Sequence, residues 1–257
     1  MVKNHSRLVA GGALAVLVLL SLGVLVMMAA TVPINQEQQE PDERPASEVY
    51  KNLKMELFQR MPAAWVDRVM QMMNKVLGVE CVHCHEQDNW AQDDLNEEQM
   101  HAREMMTTRM FPMVGAIRQD HFENKGGPTC WTCHRGSTKP EGSPAGGWKP
   151  HAAPEPSPFS EEGTAGEVYK NIQVFQQMPA ARLGRVMGVL TAALNVDCTH
   201  CHVEGDWSSD EKEPKQTARK MFAMVGAIKS KHFPEERGPS CWTCHRGSNE
   251  PEMSPPR

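Results

Sequence analysis

The sequence contains no run of basic residues and no interleaving of basic with aromatic residues, although it has 27 lysines and arginines. Proteins that bind nucleic acids concentrate such residues on the surface that contacts the phosphates. Here 32 acidic residues outnumber the basic ones, and the formal net charge is −5 at pH 7. We therefore expect no nucleic-acid partner.

Two further absences concern the fold class and the N-terminus. The sequence lacks the alternation of apolar and polar residues that is typical of half-buried strands, so we expect a mainly α protein. Cysteine is absent outside four short motifs, and none lies near the N-terminus. A lipid anchor on an N-terminal cysteine is therefore excluded.

The pattern Cys-x-x-Cys-His occurs four times and accounts for every cysteine. The cysteines are Cys81, Cys84, Cys130, Cys133, Cys198, Cys201, Cys241 and Cys244, and the histidines are His85, His134, His202 and His245. This spacing is the attachment motif of c-type haem, in which two thiols bond to the macrocycle and the histidine binds the iron. A structural zinc site or a thiol–disulfide pair is the alternative, but neither needs the adjacent histidine. The motifs predict four covalently bound haem c groups and leave no cysteine for a disulfide.

An apolar segment near the N-terminus predicts export. No charged residue lies between Leu8 and Ile34, and Lys3 and Arg7 precede the segment. It is long enough to cross a bilayer, and the basic flank keeps the N-terminus in the cytoplasm. We expect an uncleaved anchor in the inner membrane, with the bulk of the chain in the periplasm, where haem is attached in bacteria. The alternative is a long signal peptide that is cleaved near Ala29 or Ala30.

The exported part consists of two copies of one module. Glu48–Asn52 returns as Glu167–Asn171, and the eight residues from Cys130 return almost unchanged from Cys241. The predicted organisation is an anchor over 1–34, a linker over 35–46, module 1 over 47–139, a Pro/Gly-rich linker over 140–163, module 2 over 164–250 and a tail over 251–257. Each module would hold two haems.

Each module follows the order helix, haem motif, loop, helix, haem motif. Apolar residues at helical spacing predict first helices over Ala63–Leu77 and Ala180–Leu194, with Pro62 and Pro179 in position for a first turn and Gly78 as a stop. Second helices are predicted over Glu97–Gln119 and Pro214–Ser230, with a kink at Pro112. The fold class is a mainly α multihaem cytochrome c of two tandem diheme modules after one transmembrane helix.

Each iron needs a distal ligand opposite its histidine. Met70 and Met187 each lie eleven residues before the first cysteine of their module, on the helix that leads into the motif. A methionine–histidine pair gives a higher reduction potential than two histidines. The alternative is that these methionines fill the core, as we expect for Met72 and Met73, which the second copy replaces. Because Met70 and Met187 occur in both copies, we expect them to bind iron.

The distal ligand of the second haem in each module is less determined by sequence. Three pairs precede the second motifs at the same distance in both copies: Met110 with Met221, Met113 with Met224, and His121 with His232. The repeat alone does not choose among them. Arg135 and Arg246, which follow the proximal histidines, could pair with haem propionates or lie in solvent.

Residues 47–137 and 165–248 resemble the tetrahaem cytochrome subunit of photosynthetic reaction centres. The resemblance is carried by Val-Tyr-Lys-Asn, by the methionine helix, by Ala218–Met224 and by the closing Cys-Trp-Thr-Cys-His-Arg-Gly. It implies that the first methionine of Met-x-x-Met is a distal ligand, which points to Met110 and Met221. That family also uses a histidine shortly before the second motif of its first repeat for the fourth haem, so His121 is the alternative to Met221.

These features predict an electron-transfer protein and not an enzyme. If methionine or histidine closes every iron, no coordination position remains for a substrate. The expected acceptor is a membrane redox complex such as a photosynthetic reaction centre, and the expected donor is a small soluble cytochrome c, a copper protein or a quinol-oxidising complex. A membrane-anchored quinol dehydrogenase is the alternative, although it would favour histidine ligands. A reductase with one open iron near Met113 or Met224 is a third possibility.

Overall fold

A computed structural model of the chain describes residues 41–151, 159 and 162–256, and these residues are helical with irregular connections. The predicted membrane anchor lies outside the described residues, and no helix within them is long and apolar enough to cross a membrane. In chain order the α-helices are α1 Ala46–Val49, α2 Glu56–Arg60, α3 Ala63–Leu77, α4 Glu97–Glu104, α5 Phe111–Phe122, α6 Cys130–His134, α7 Ala165–Val168, α8 Ala180–Leu194, α9 Glu213–His232 and α10 Cys241–His245. Within that part of the chain only isolated β-bridges occur, which confirms the mainly α class.

The first long helix of each module has the predicted bounds. Helices α3 and α8 begin directly after Pro62 and Pro179, so the prolines are caps and not members of the first turn. Gly78 ends α3 with φ 66°, and its counterpart Asn195 ends α8 with φ 54°. Both residues adopt the left-handed conformation that closes a helix, which glycine and asparagine accept most readily.

The second long helix differs between the modules. Helix α9 is a continuous α-helix in module 2, whereas in module 1 a π-helix over Met105–Met110 separates α4 from α5. The predicted kink at Pro112 is therefore a change of helix type that ends just before the proline. The hydroxyl groups of Thr107 and Thr108 donate to the carbonyls of Arg103 and Glu104 within this turn, at 2.9 and 2.7 Å.

The π-helix accommodates one additional residue. Arg103 donates to the carbonyl of Trp90, and Lys215 donates to the carbonyl of Trp207, the equivalent residue of module 2. Arg103 lies 27 residues before Cys130, whereas Lys215 lies 26 residues before Cys241. A π-turn contains one more residue than an α-turn, so it absorbs the insertion without shifting the rest of the helix. Arg103 and Lys215 consequently reach equivalent carbonyls although their distances from the second motif differ by one residue.

The two modules pack together within one compact unit, Asp42–Arg257. Ile117 of α5 forms a buried cluster with Met224 and Ile228 of α9. A second cluster, within module 1, joins Ala46, Ala63 and Val66. Each of these clusters contains three buried residues.

The segment that follows the second motif of each module contacts the other module. The hydroxyl of Ser240 donates to the carbonyl of Gly142 at 2.7 Å, and the hydroxyl of Thr129 donates to the carbonyl of Met253 at 2.6 Å. The described part of the linker contains turns and bends but no helix or strand. It continues onto α8, where the backbone N–H of His151 donates to the hydroxyl of Thr191 at 3.3 Å.

Candidate haem attachment sites

The four motifs adopt two local conformations. The first motif of each module begins with a single 3₁₀ turn, Cys81–His83 and Cys198–His200, whereas the second motifs form the short helices α6 and α10. In either conformation, residues three positions apart lie on the same side of the turn. Both thiols of a motif can therefore reach one edge of a single macrocycle.

All four proximal histidines are oriented by a backbone carbonyl. The Nδ1 atoms of His85 and His202 lie 3.0 Å from the carbonyl oxygens of Trp90 and Trp207. In the second motifs, His134 and His245 make the same contact with the carbonyl three residues later, at 2.8 and 2.9 Å. An Nδ1–H that donates to a carbonyl fixes the tautomer and leaves Nε2 free to bind a metal.

Burial also favours the neutral form of these histidines. The pKa of all four imidazoles is lowered, first because burial disfavours the charged ring. A neutral imidazole is the form that binds a metal. The tautomer and the protonation state therefore both suit an axial ligand of haem iron.

The cysteines do not converge as zinc ligands within the described residues. All eight are free thiols, and burial raises the pKa of Cys84, Cys130, Cys201 and Cys241. Across the described residues, no three or more cysteine, histidine or acidic side chains converge as metal ligands. A structural zinc site needs four converging ligands, so that alternative has no support in the described part of the chain.

Module 2 contains a cavity of about 470 Å³ at its first motif. Cys198, Cys201 and His202 line one side, and Met187 of α8 also lines it. Most of the remaining wall is apolar, and Phe159 of the linker contributes to it. A cavity with two thiols, a prepared imidazole and a thioether fits a haem with methionine–histidine ligation.

A network of cations holds the loop beside this cavity. Asp210 accepts from Arg219 at 2.9 Å and lies 3.3 Å from the ammonium of Lys215. The Arg219 guanidinium is the main reason that the pKa of Asp210 lies well below its usual range. Lys215 also donates to the carbonyl of Trp207, the same carbonyl that orients His202.

Module 1 repeats this network with different cations. The side-chain amide of Asn52 donates to Asp93 at 2.7 Å, and Lys54 pairs with Asp93 at 2.9 Å. Arg103 donates to the carbonyls of Cys84 and Gln92, and its Nη2 lies 3.0 Å from Nδ1 of His85. The asparagine is visible in the sequence as part of the repeat, whereas Arg103 and Lys215 were not predicted, because the inserted residue places them out of register.

The predicted distal methionines of the first motifs have different surroundings. Met187 lines the cavity that also holds His202. Met70 is partly buried and packs against the cluster of Ala46, Ala63 and Val66, so it also contributes to the core of module 1. Both lie on the helix that leads into their motif, as expected.

The candidates for the second motifs are distinguished by their packing. Met224 is buried in the cluster between α5 and α9, and Met113 and Met221 pack against that cluster. Met110 is partly buried and ends the π-helix. His121 is exposed on α5, and His232, the last residue of α9, has a pKa lowered first by burial. Core packing accounts for Met224 and involves Met113 and Met221 alike, so it sets only Met110 apart from this cluster.

The second motifs of the two modules meet in a nearly symmetric arrangement that we call the seam, formed by Cys133–Arg135 and Cys244–Arg246. The guanidinium of Arg135 donates to the carbonyl of Cys244 at 2.9 Å, and Arg246 donates to the carbonyl of Cys133 at 3.0 Å. The Nε atom of each arginine is buried without a partner among the described residues. These two donors fit the expectation that the arginines pair with haem propionates.

Known proteins share these features. A family model described as the photosynthetic reaction centre cytochrome C subunit matches residues 21–148 and 145–254, which correspond to the two modules. The photosynthetic reaction center cytochrome c subunit of Thermochromatium tepidum is 37% identical over 103 residues, which covers 38% of this chain and 26% of that protein. Its counterpart in Roseobacter denitrificans is 32% identical over 108 residues, which covers 37% of this chain and 29% of that protein. The matched region is thus less than a third of each relative.

Proposed function

Because the chain belongs to the family of photosynthetic reaction centre cytochrome c subunits, we propose that it is a four-haem c-type cytochrome that passes single electrons to a photosynthetic reaction centre. The family is one of haem c proteins, so covalent haem is expected in this chain. The number of four rests on the motifs. The observation that carries the proposal is that the histidine of every motif has its Nδ1 within 3.0 Å of a backbone carbonyl.

When bound, each haem supplies an iron that alternates between the ferrous and ferric states. The two thiols of each motif would attach it, the proximal Nε2 would bind the metal, and at the first motif of module 2 the apolar wall of the cavity would exclude water. Met70, Met110, Met187 and Met221 would complete the coordination and raise the potentials. With both axial positions occupied, the irons offer no place for a substrate, so the chain transfers electrons and is not itself an enzyme.

The attachment points suggest the order in which electrons travel. In module 1, the backbone N–H of Gly136, after the second motif, donates to the carbonyl of Val76, near the end of the helix that leads into the first motif. Gly247 and Ala193 make the same contact in module 2. The second motifs meet at the seam, so the order would be first motif, second motif, second motif, first motif.

The remaining parts of the proposal concern location and partners. The apolar N-terminal segment supports a single membrane anchor with the modules in the periplasm. The acceptor would be a reaction centre or another membrane redox complex, and the donor a small soluble cytochrome c or a copper protein. A flash experiment on native membranes tests the acceptor: haem oxidation should follow photo-oxidation of the reaction centre. If no haem is oxidised, a respiratory complex or a quinol dehydrogenase replaces the reaction centre in this account.

A further inference from the structure

Two haem-attachment cysteines from different modules touch each other at the seam. The Sγ atom of Cys133 lies 3.5 Å from the Sγ atom of Cys244. Cys130 and Cys241 belong to the same two motifs but begin their helices three residues earlier. Each second motif therefore has one cysteine at the seam and one a turn away from it.

The surrounding groups hold the backbones of the two cysteines together. Arg135 and Arg246 each donate to the carbonyl of the opposite seam cysteine. Glu252 and Glu141 lie 3.8 Å from these two guanidinium groups, each on a segment that crosses to the other module. Because the bonds are reciprocal, the backbones of Cys133 and Cys244 cannot separate without breaking hydrogen bonds on both sides.

We propose that the sulfurs of Cys133 and Cys244 form the crossing point for electrons between the modules. The inference rests on the proposed function and adds the route. After attachment, each sulfur is bonded directly to a carbon substituent of its own macrocycle. The route between the two macrocycles would then pass through one contact between polarisable sulfur atoms. The oxidation of a ferrous haem in one module would be balanced by the reduction of a ferric haem in the other, with no bond broken and no proton moved.

Equivalent groups surround the two sulfurs, since each seam cysteine has an arginine from the opposite motif on its carbonyl. The seam therefore imposes little energetic preference for either direction of transfer. Direction would come from the potentials of the haems at the two ends, whose cation networks differ between the modules.

The test compares the two cysteines of one motif in the full haem-loaded chain. Cys133→Ala and Cys244→Ala remove the sulfur contact, whereas the matched controls Cys130→Ala and Cys241→Ala remove a thioether away from it. The pyridine haemochrome spectrum reports whether the haem with a single thioether is retained. Electron paramagnetic resonance of the oxidised protein reports exchange coupling between the ferric haems, and photoreduction kinetics report electron exchange between the modules.

We expect the seam variants to lose more exchange coupling than the controls and to exchange electrons several-fold more slowly than the controls, although each control also removes one thioether from a haem. Equal effects in seam and control variants, or no effect in either, would overturn the proposal. This readout does not involve a reaction centre, so it is separate from the flash experiment. A parent chain that carries no redox-active haem would instead contradict the proposed function.

A second variant covers the case in which a haem with a single thioether fails to attach. The double variant Arg135→Gln/Arg246→Gln keeps all eight cysteines and weakens the bonds that hold the seam. The control is Arg118→Gln, because Arg118 donates to the carbonyl of Gly126 within module 1. If the exchange coupling is reduced in the double variant and unchanged in Arg118→Gln, the proposed crossing point is supported. If the coupling is unchanged in the double variant, the proposed crossing point is contradicted.

Discussion

Replacing Gly78 with alanine is expected to lower the free energy of unfolding of the chain by about 2 to 3 kcal/mol. Gly78 ends α3 with φ 66°, and a Cβ atom added there would lie 2.2 Å from the carbonyl oxygen of Gly136. That oxygen belongs to the backbone, so it cannot move like a flexible side chain. The same Gly136 donates its N–H to the carbonyl of Val76 at 2.7 Å.

The magnitude combines two contributions. A residue with a side chain in the left-handed conformation costs about 1 to 2 kcal/mol relative to glycine. Displacing Gly136 would also break its hydrogen bond to Val76, and a typical intramolecular hydrogen bond contributes about 1 kcal/mol. Because Gly136 follows the second motif, its displacement should also disturb the haem attached at Cys130 and Cys133.

Module 2 provides the matched control. Asn195 occupies the equivalent position with φ 54°, so this site already accommodates a Cβ atom. Asn195→Ala should therefore cost less than Gly78→Ala. Guanidinium unfolding, followed by helical circular dichroism and by haem absorption, measures both values. Equal losses in the two variants would refute the claim that close contact with Gly136 restricts residue 78 to glycine.

Three further predictions follow from individual side chains. Met187→Leu should remove the methionine-type spectrum of one haem and lower the reduction potential of that haem. The control Met72→Leu, at an exposed methionine, should change neither the spectrum nor the potential. An unchanged redox titration in Met187→Leu would exclude Met187 as a ligand. Phe159→Ala should open the cavity wall in module 2 and speed the binding of added imidazole to one haem, and an unchanged rate would show that Phe159 does not limit access. Burial, together with the hydrogen bond to Asp67, raises the pKa of Tyr50 to about 12. Because the folded pKa lies above the ordinary value of about 10, Tyr50 contributes stability that is present below that pH and lost as the pH rises through about 12. Ultraviolet titration should show one late phenolate that Tyr50→Phe removes, and its ionisation near the ordinary value would contradict the burial argument.

The local structure of the first helices could be predicted from sequence because all the signals are local. Apolar spacing, the prolines before the helix and the residue after it determine the bounds of α3 and α8. The four motifs likewise indicate their chemistry without any tertiary information. The sequence predicts the two thiols and the adjacent histidine of each motif. Only the structure shows the backbone carbonyl that orients each imidazole ring.

The second helix of module 1 shows where local signals fail. Pro112 indicates an irregularity, but the π-helix before it, and the equivalence of Arg103 and Lys215 that points to a one-residue insertion, appear only in the structure. Arg103 and Lys215 were missed for the same reason, since both reach the carbonyl that orients a proximal histidine from different sequence positions.

The seam could not be predicted from sequence at all. Nothing in the motifs indicates that Cys133 approaches Cys244, because the contact depends on how α5 and α9 pack between the modules. The choice among methionines is an intermediate case. Equal spacing in both copies selected three pairs, and burial in the core distinguishes only Met224 among them.

The central claim is that the chain is a four-haem electron carrier with methionine–histidine ligation. A redox titration of the purified full chain, with haem quantified on the same sample, tests it most directly. We expect four haems per chain, four one-electron steps at high potential and methionine-type spectra. Fewer than four haems, or mainly low potentials with bis-histidine spectra, would contradict the account.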